Sequence, residues 1–315
     1  ISLARTVEPQ ANVPLQIVPR DSREVRGEVC VAAELVPDGH RARVKAELAE
    51  AAAGRAVHER EWQRAFLSYG AAARRFDALG LRARAGAARH AMAELAYWRL
   101  QRAADGYALA VRASVDLPAD VDALAHGALL HLRAMALLEI PGRGSPGTRH
   151  GEVARLLDAA RRRLQVTRYG VRELPRIEIF AGFLDYRANR LAEARRRFAA
   201  AARHCSELRD WECHALARQN EASLLEEESY PAALAAYHDA LRELDPEVFP
   251  DTASVVWDNL GRLQASVGLF EQSERSHLNA VRLYAEIGSC DGLRRALSRL
   301  GALALETGSF GDADA

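Results

Sequence analysis

Two consecutive amphipathic patterns in residues 255–286 constrain the fold of this chain more than any other feature. In both patterns, apolar and small residues recur every three or four positions, which places them on one face of an α-helix. The shared face of the first pattern holds Trp257, Leu260, Gly261 and Gln264, and that of the second holds Phe270, Ser273, His277, Ala280 and Val281. Each face can be buried only against the other helix and against a neighbouring pair. The segment therefore predicts an antiparallel helix pair inside a larger stack.

The glycines of this segment indicate how closely the two helices approach. A glycine inside a helix costs about 1 kcal/mol relative to alanine, so Gly261 is best explained by a close crossing with the second helix. Ser273 lies at the corresponding point of that helix. Gly268 is placed to end the first helix. We therefore predict that Gly261 faces the second helix at Ser273.

The same pattern recurs along the chain at intervals close to 40 residues. The predicted turn position falls at Trp62, Leu100, Leu191, Tyr230, Phe270 and Phe310, each followed three residues later by Ala65, Ala103, Ala194, Ala233, Ser273 and Ala313. The interval from Leu100 to Leu191 is about twice as long, so it contains a further unit, with helices near 120–139 and 152–168 and a long glycine-rich loop between them. These units predict at least twelve antiparallel helices in consecutive pairs.

The anchor segment resembles the tetratricopeptide repeat (TPR). Trp257, Leu260, Gly261, Gly268, Phe270 and Ala280 match its large apolar residue, leucine, small residue, turn glycine, aromatic and alanine. The resemblance implies a mostly α fold, a right-handed α-solenoid of about seven TPR-like units over residues 41–315 with a truncated last repeat. The long period is similar to that of TPR subfamilies that bind long peptides or precede an effector module. We therefore expect the TPR part of a larger multidomain protein.

Residues 1–40 follow a different pattern. Apolar and polar residues alternate there, as in Val13, Leu15 and Ile17, and prolines interrupt the alternation. Alternation of this kind predicts short strands, and the prolines place them at sheet edges. This β-rich segment is interpreted either as the end of a preceding domain or as a cap on the helical stack.

Charge and hydropathy exclude some partners. The chain has 43 basic and 43 acidic side chains and no net charge, which argues against a nucleic-acid partner bound by bulk electrostatics. Apolar runs stay short of the ~20 residues that a membrane-spanning helix needs. The amino terminus lacks a signal-peptide pattern. We therefore expect no nucleic-acid partner and no membrane span, and a cytoplasmic location is favoured while export stays open.

Two short motifs imitate catalytic or cofactor sites. Gly142, Gly144 and Gly147 match a phosphate-binding glycine pattern in spacing, but a helix and not a strand precedes them. Cys290 lies in a Gly-x-Cys-x-Gly motif, which we interpret as a helix cap at Gly288 followed by an N-cap at Asp291. The sequence therefore predicts no catalytic residues and no cofactor, and the chain is not expected to be an enzyme.

Histidine and cysteine cluster in residues 204–214. His204 and Cys205 precede Cys213 and His214 by a short interval, astride a predicted junction between helices. Adjacent residues on a helix point about 100° apart, and the spacing is not that of a zinc site. Metal binding, a Cys205–Cys213 disulfide and ordinary packing remain the alternatives, and no metal is the expected outcome.

The resemblance also implies a partner-binding groove lined by the first helices of successive units. The predicted groove residues are Ile179, Phe183, Tyr186, Arg187, Arg218, Gln219, Asp258, Asn259, Arg262, Arg295 and Arg299. Asn259 stands where many TPRs place an asparagine that bonds a peptide backbone, whereas the carboxylate-clamp pattern of the family is not reproduced as a set. With apolar residues at one end and arginines at the other, the groove predicts an acidic, amphipathic protein or peptide partner.

Two functional classes stay open at this point. The first is a protein–protein interaction scaffold with no chemistry of its own. The second is the regulatory or sensor region of a larger enzyme, for example a TPR-linked caspase-like protease whose catalytic module lies outside this chain. The sequence determines neither the partner nor the oligomeric state.

Overall fold

The computed structural model describes residues 38–141 and 146–308. These residues form thirteen α-helices in two compact units, one in each of the two described ranges. The helices of the N-terminal unit are α1 (Asp38–His58), α2 (Trp62–Ala78), α3 (Arg82–Glu94), α4 (Ala103–Asp116) and α5 (Ala123–Glu139). Those of the C-terminal unit are α6 (Pro146–Leu164), α7 (Leu174–Arg187), α8 (Leu191–Glu207), α9 (Trp211–Leu225), α10 (Tyr230–Arg242), α11 (Pro250–Ser266), α12 (Phe270–Glu286) and α13 (Cys290–Thr307).

Consecutive helices pack against each other in both units, as the repeat pattern predicts. In the C-terminal unit α7 pairs with α8, α9 with α10 and α11 with α12, and the first helices α7, α9, α11 and α13 also contact one another in order. This layered arrangement confirms the predicted stack of helix pairs. No described residue lies in a strand. The predicted β-rich segment of residues 1–40 lies outside the described residues except for 38–40, which already belong to α1.

Most turns between helices use one backbone motif. A residue with positive φ precedes the N-cap of the next helix, at Arg60, Gly80, Gln101, Asn189, Arg209, Gly268 and Gly288. The N-cap N–H then bonds a carbonyl near the end of the preceding helix, as from Leu269 to Gln264 at 2.9 Å. The motif satisfies a carbonyl that the helix end leaves without a partner. It also fixes the register between successive helices.

The helix crossings are built on small residues. Ser273 Oγ donates a hydrogen bond of 2.8 Å to the Gly261 carbonyl oxygen, which confirms the predicted approach. A Cβ on Gly261 would lie 2.8 Å from the His277 ring. Gly182 has the same role in α7, where a Cβ would lie 2.7 Å from the Phe198 ring. Backbone contact at these crossings therefore requires glycine.

The predicted register is wrong at Leu100. Helix α4 begins three residues later, at Ala103, after a π-helical turn over Leu95–Arg99 that lengthens the preceding helix. The buried small residue of this unit is Gly106 and not Ala103. The corresponding residues Phe310 and Ala313 of the last predicted unit lie outside the described residues.

The predicted glycine-rich loop is also too long. Helix α6 begins at Pro146, because proline suits the first helical position, where no backbone N–H is needed. Residues 146–151 are therefore helical, and 142–145 lie outside the described part of the chain. Among the helices described, none is both long and apolar enough to cross a membrane.

Candidate functional site

Ion pairs connect each first helix of the C-terminal unit to the next. Arg176 of α7 bonds Glu212 of α9 at 3.3 Å, and Arg262 of α11 bonds Glu226, the C-cap residue of α9, at 2.6 Å. Asp258 of α11 accepts a hydrogen bond of 2.9 Å from Arg295 of α13. The predicted groove arginines thus stand between neighbouring first helices. We call the exposed and half-exposed side chains of these helices the first-helix face; its members are Phe183, Tyr186, Arg187, Asn220, Asn259, Arg262, Arg295 and Arg299.

Asp258 is the centre of the most heavily paired cluster on this face. Its side chain is buried, and its Oδ1 lies 2.6 Å from Nη1 of Arg299 and 3.2 Å from Nδ1 of the buried His277. Burial alone would raise the pKa of Asp258, but the contacts with His277, Arg295 and Arg299 outweigh it and hold the pKa at about 2. Asp258 therefore stays ionised and holds Arg295 and Arg299 of α13 against α11.

A second cluster joins α9, α10 and α11. Nη2 of Arg262 reaches both carboxylate oxygens of Glu226, at 2.6 and 2.7 Å. The Tyr237 hydroxyl donates to the same carboxylate at 2.6 Å and lies 3.1 Å from Ser223 Oγ. Burial and this bond to Glu226 raise the pKa of Tyr237 above its ordinary value. Arg262 is therefore fixed in position, and its charge is already balanced.

Arg218 is paired in a similar way. It lies 2.5 Å from Glu221 on its own helix and 2.7 Å from Asp239 on α10. The neighbouring Gln219 has a buried side-chain oxygen without a hydrogen-bond partner among the described residues. The predicted groove positions Arg218 and Gln219 thus belong to the contact between α9 and its neighbours.

The turn geometry identifies a residue that the repeat pattern missed. Ser229 N–H bonds the carbonyl of Leu225, four residues back, whereas Leu269 N–H bonds that of Gln264, five residues back. The turn after α9 is therefore one residue shorter. Aligning α9 and α11 on these two carbonyls places Asn220, and not Gln219, at the position of Asn259.

These two asparagines differ in their present contacts. The Asn220 side-chain amide donates a hydrogen bond of 2.7 Å to the Leu216 carbonyl oxygen of its own helix. The half-buried Asn259 side chain forms no hydrogen bond with any described residue. Asn259 therefore keeps its full donor and acceptor capacity between two fixed arginine clusters.

The apolar end of the face lies on α7. Phe180 and Phe183 stack with ring centroids 6.1 Å apart, and the Arg187 guanidinium lies 5.8 Å from the centre of the Phe183 ring. Tyr186 is 51% exposed. Ile179 is instead half-buried against a cluster of small residues on α8 and α9. Phe183, Tyr186 and Arg187 are thus the predicted residues available at this end.

The opposite end of the face is an open pocket beside α13. It measures about 590 Å³ and is lined by Asp291, Arg294, Arg295, Ser298 and Arg299. Three arginines face two carboxylates here when the buried Asp258 is included. This end therefore carries a local excess of positive charge, unlike the balanced Arg262 cluster.

The described cysteines are either paired with each other or placed at the start of a helix. Cys205 and Cys213 form a disulfide with Cα atoms 5.6 Å apart, one of the alternatives that the sequence left open. Cys290 is exposed at the start of α13. Gly288 has the predicted left-handed conformation, whereas the N-cap is Ser289 and not Asp291 because α13 begins two residues earlier than the motif suggested. No group of three His, Cys, Asp or Glu residues in the described ranges could hold a metal ion.

Comparisons with known proteins agree on the fold. No protein-family model and no curated protein matches the chain. Among solved structures, it is similar to a Rap protein complexed with Competence and Sporulation Factor, at 12% identity and a TM-score of 0.56 over 91% of this chain and 81% of that one. It is also similar to BtubC from P. vanneervenii, at 18% identity and a TM-score of 0.52 over 69% of this chain and 85% of that one.

A third similar structure is a Signal Transduction ATPase with Numerous Domains (STAND) protein with a tetratricopeptide repeat sensor, from Pyrococcus horikoshii. Identity is 13% and the TM-score 0.54, over 86% of this chain and 42% of that one. The chain therefore has a TPR-like fold. Sequence identities this low support a similarity of fold and nothing further.

Proposed function

We propose that the C-terminal unit is a protein-interaction scaffold that binds a peptide or helix of a partner protein along the first-helix face. The observation that carries this proposal is the state of Asn259, a half-buried amide that has no hydrogen bond within the described chain. An amide can donate to a carbonyl and accept from an N–H of a partner main chain at the same time. Its position between the fixed side chains of Arg262 and Arg299 favours an extended partner.

The charge distribution refines the expected partner. Arg262 is neutralised by Glu226, so it contributes orientation more than net charge. At α13, Arg295 and Arg299 share the single carboxylate of Asp258. A guanidinium has five N–H donors, and several of these remain unused at both residues. We therefore place the acidic part of the partner at the α13 end of the face.

The apolar part of the partner belongs at the α7 end. Tyr186 and the Phe183 ring supply aromatic surface there, with Arg187 beside them. Aromatic side chains contribute large contact areas at interfaces. A partner with an acidic segment followed or preceded by an apolar one matches both ends. The complex of the similar Rap protein with Competence and Sporulation Factor supports this mode of use by analogy of fold.

A regulatory role within a larger enzyme is the second candidate. The similar STAND protein carries a tetratricopeptide repeat sensor, and this chain spans 42% of its length. In that case the first-helix face would bind an effector that controls a catalytic module elsewhere. The two roles share the same binding surface, so the first experiment addresses both.

A peptide array tests the proposal. The array carries 15-residue synthetic peptides that vary acidic and apolar content independently, and it is probed with the wild-type chain, Phe183→Ala and the control Arg282→Glu. Arg282 pairs with Glu286 on the exposed side of α12, away from the first helices. Preference for acidic, amphipathic peptides that Phe183→Ala weakens and Arg282→Glu preserves is expected. Identical peptide profiles for all three proteins would refute the proposed face.

A further inference from the structure

A disulfide joins α8 to α9 inside the C-terminal unit. Cys205 lies in the last turn of α8 and Cys213 in the first turn of α9, and both side chains are fully buried. The turn between them has the usual motif of this fold. Arg209 has positive φ, and Asp210 N–H bonds the Cys205 carbonyl at 2.9 Å.

Two other junctions with the same hydrogen bond are filled by an aromatic ring. Between α12 and α13, the bond runs from Ser289 to Tyr284 at 2.9 Å, and the Tyr284 ring leaves no room for a Cβ on Gly292. Between α2 and α3, the bond runs from Leu81 to the buried Phe76, whose ring lies 4.8 Å from the Arg84 guanidinium. Aromatic packing therefore holds both of these junctions together.

Both of these junctions, like α8–α9, lead from a second helix to the next first helix, and alignment on this hydrogen bond places Cys205 where they have Phe76 and Tyr284. Cys213 likewise takes the place of Gly292. Two thiols fill less volume than an aromatic ring, so the α8–α9 junction depends on its covalent bond where the others depend on packing. We propose that the Cys205–Cys213 disulfide is a redox-sensitive latch that holds the α8–α9 junction closed, and that reduction loosens this junction selectively.

The redox step requires a dithiol as reductant. One thiolate of the dithiol attacks one cysteine sulfur, which forms a mixed disulfide and releases the other cysteine as a thiolate. The second thiol of the reductant then displaces the first cysteine. The reductant becomes a cyclic disulfide, and its two protons end on Cys205 and Cys213. Because both sulfur atoms are buried, the junction must open transiently before the attack.

The latch lies next to contacts of the first-helix face. Asp210 accepts a bond of 3.0 Å from the Cys213 N–H and pairs with Arg176 of α7 at 2.5 Å. His214 lies 3.0 Å from the Ala202 carbonyl of α8. A loosened junction would therefore shift α9, with Asn220, relative to α7. This last consequence rests on the proposed function, whereas the latch itself does not.

Hydrogen exchange with mass spectrometry tests the latch on the full chain. Alkylation before and after reduction by dithiothreitol first reports the oxidation state of each cysteine. A cross-link over so short a loop shifts a local opening equilibrium by on the order of a hundredfold. We therefore expect about that acceleration of exchange in residues 203–216 after reduction, with residues 284–292 unchanged. A background of Cys30→Ser with Cys290→Ser removes both cysteines outside this pair, which prevents thiol exchange with them and should leave the result unaltered.

Two double variants distinguish the effect of the covalent bond from the effect of the side chains at positions 205 and 213. Cys205→Ala with Cys213→Ala should exchange like the reduced chain whether or not dithiothreitol is present. Cys205→Tyr with Cys213→Gly copies the α12–α13 junction and should restore protection that is insensitive to the reductant. Absence of the disulfide in the air-oxidised chain would overturn the latch. So would unchanged exchange in residues 203–216 of a chain whose two cysteines are shown to be reduced. Altered exchange with unaltered peptide binding would uphold the latch and remove only its link to the first-helix face.

Discussion

At the scale of single residues, Asp258 shows how a buried charge organises this fold. Its carboxylate is surrounded by Arg295, Arg299 and His277, so removal of the carboxylate leaves cations without their partner. Charged pairs of this kind are costly to break, even where the intact pair adds little net stability. The residue types on α11 and α13 were visible in the sequence. Their pairing was not, because the partners lie on different helices about 40 positions apart.

We predict that Asp258→Asn destabilises the chain by about 3 kcal/mol at neutral pH. The pKa of about 2 lies below the ordinary value of 3.8, so the ionised carboxylate stabilises the fold above about pH 4, and this stability disappears as the pH falls toward 2. The amount that is lost is about 2 kcal/mol. Urea unfolding of the wild type and Asp258→Asn at pH 7 and pH 3 measures both effects, since about half of this amount, about 1 kcal/mol, is already lost at pH 3. The exposed Asp291 is the control, and Asp291→Asn should change the free energy of unfolding by less than about 0.5 kcal/mol.

Two glycines on equivalent positions of first helices should respond in opposite directions to the same substitution. A Cβ on Gly261 would lie 2.8 Å from the His277 ring, whereas no atom of the described residues lies within 4 Å of one on Gly301. Gly261→Ala should therefore destabilise by about 1–3 kcal/mol through overpacking. Gly301→Ala should stabilise by about 0.5–1 kcal/mol through helix propensity. The melting temperatures of both variants test these predictions. An equal rise in melting temperature for both would show that α11 and α12 do not cross closely at Gly261.

At the scale of helices and turns, the strongly periodic segments were predictable and the irregular ones were not. The pair α11–α12 follows from its apolar spacing and from Gly268. The π-helical turn before α4 displaced the register, because an inserted residue leaves hydrophobic periodicity nearly unchanged over a short segment. The shortened turn after α9 had the same effect and concealed Asn220. Neither turn contains a glycine that would mark it in the sequence. In the turn before α4 the positive-φ residue is Gln101, and the turn after α9 contains no positive-φ residue.

The positive-φ turns allow a prediction about backbone strain. An L-residue in the left-handed region costs about 1–2 kcal/mol, and asparagine tolerates it better than most. Arg209 and Asn189 both occupy this conformation, at φ 55° and 58°. Arg209→Gly should therefore stabilise the chain by about 1 kcal/mol, while Asn189→Gly changes the stability by only a few tenths. Melting temperatures of the two variants test this ranking, and a loss of stability in Arg209→Gly would show that its side chain has an important contact.

At the scale of the whole molecule, the chain combines a TPR-like fold with charges that are largely satisfied within it. Its 43 basic and 43 acidic side chains balance, and many of the arginines pair with carboxylates of neighbouring helices. This use of charge explains why the predicted arginine-rich groove is less cationic than its composition suggests. At the α13 end, Arg294, Arg295 and Arg299 still outnumber the carboxylates of Asp258 and Asp291. The proposed binding function therefore depends on a few positions of the first-helix face, above all Asn259.

Isothermal titration of the best-binding array peptide against Asn259→Ala tests this claim most directly. Because Asn259 has no hydrogen bond within the described chain, the substitution should leave the melting temperature unchanged. It should weaken peptide binding about tenfold or more, as expected for the loss of a buried hydrogen bond to the partner. The control Arg282→Glu should bind like the wild type. An unchanged Kd for Asn259→Ala, with the fold intact, would contradict the assignment of partner binding to the first-helix face.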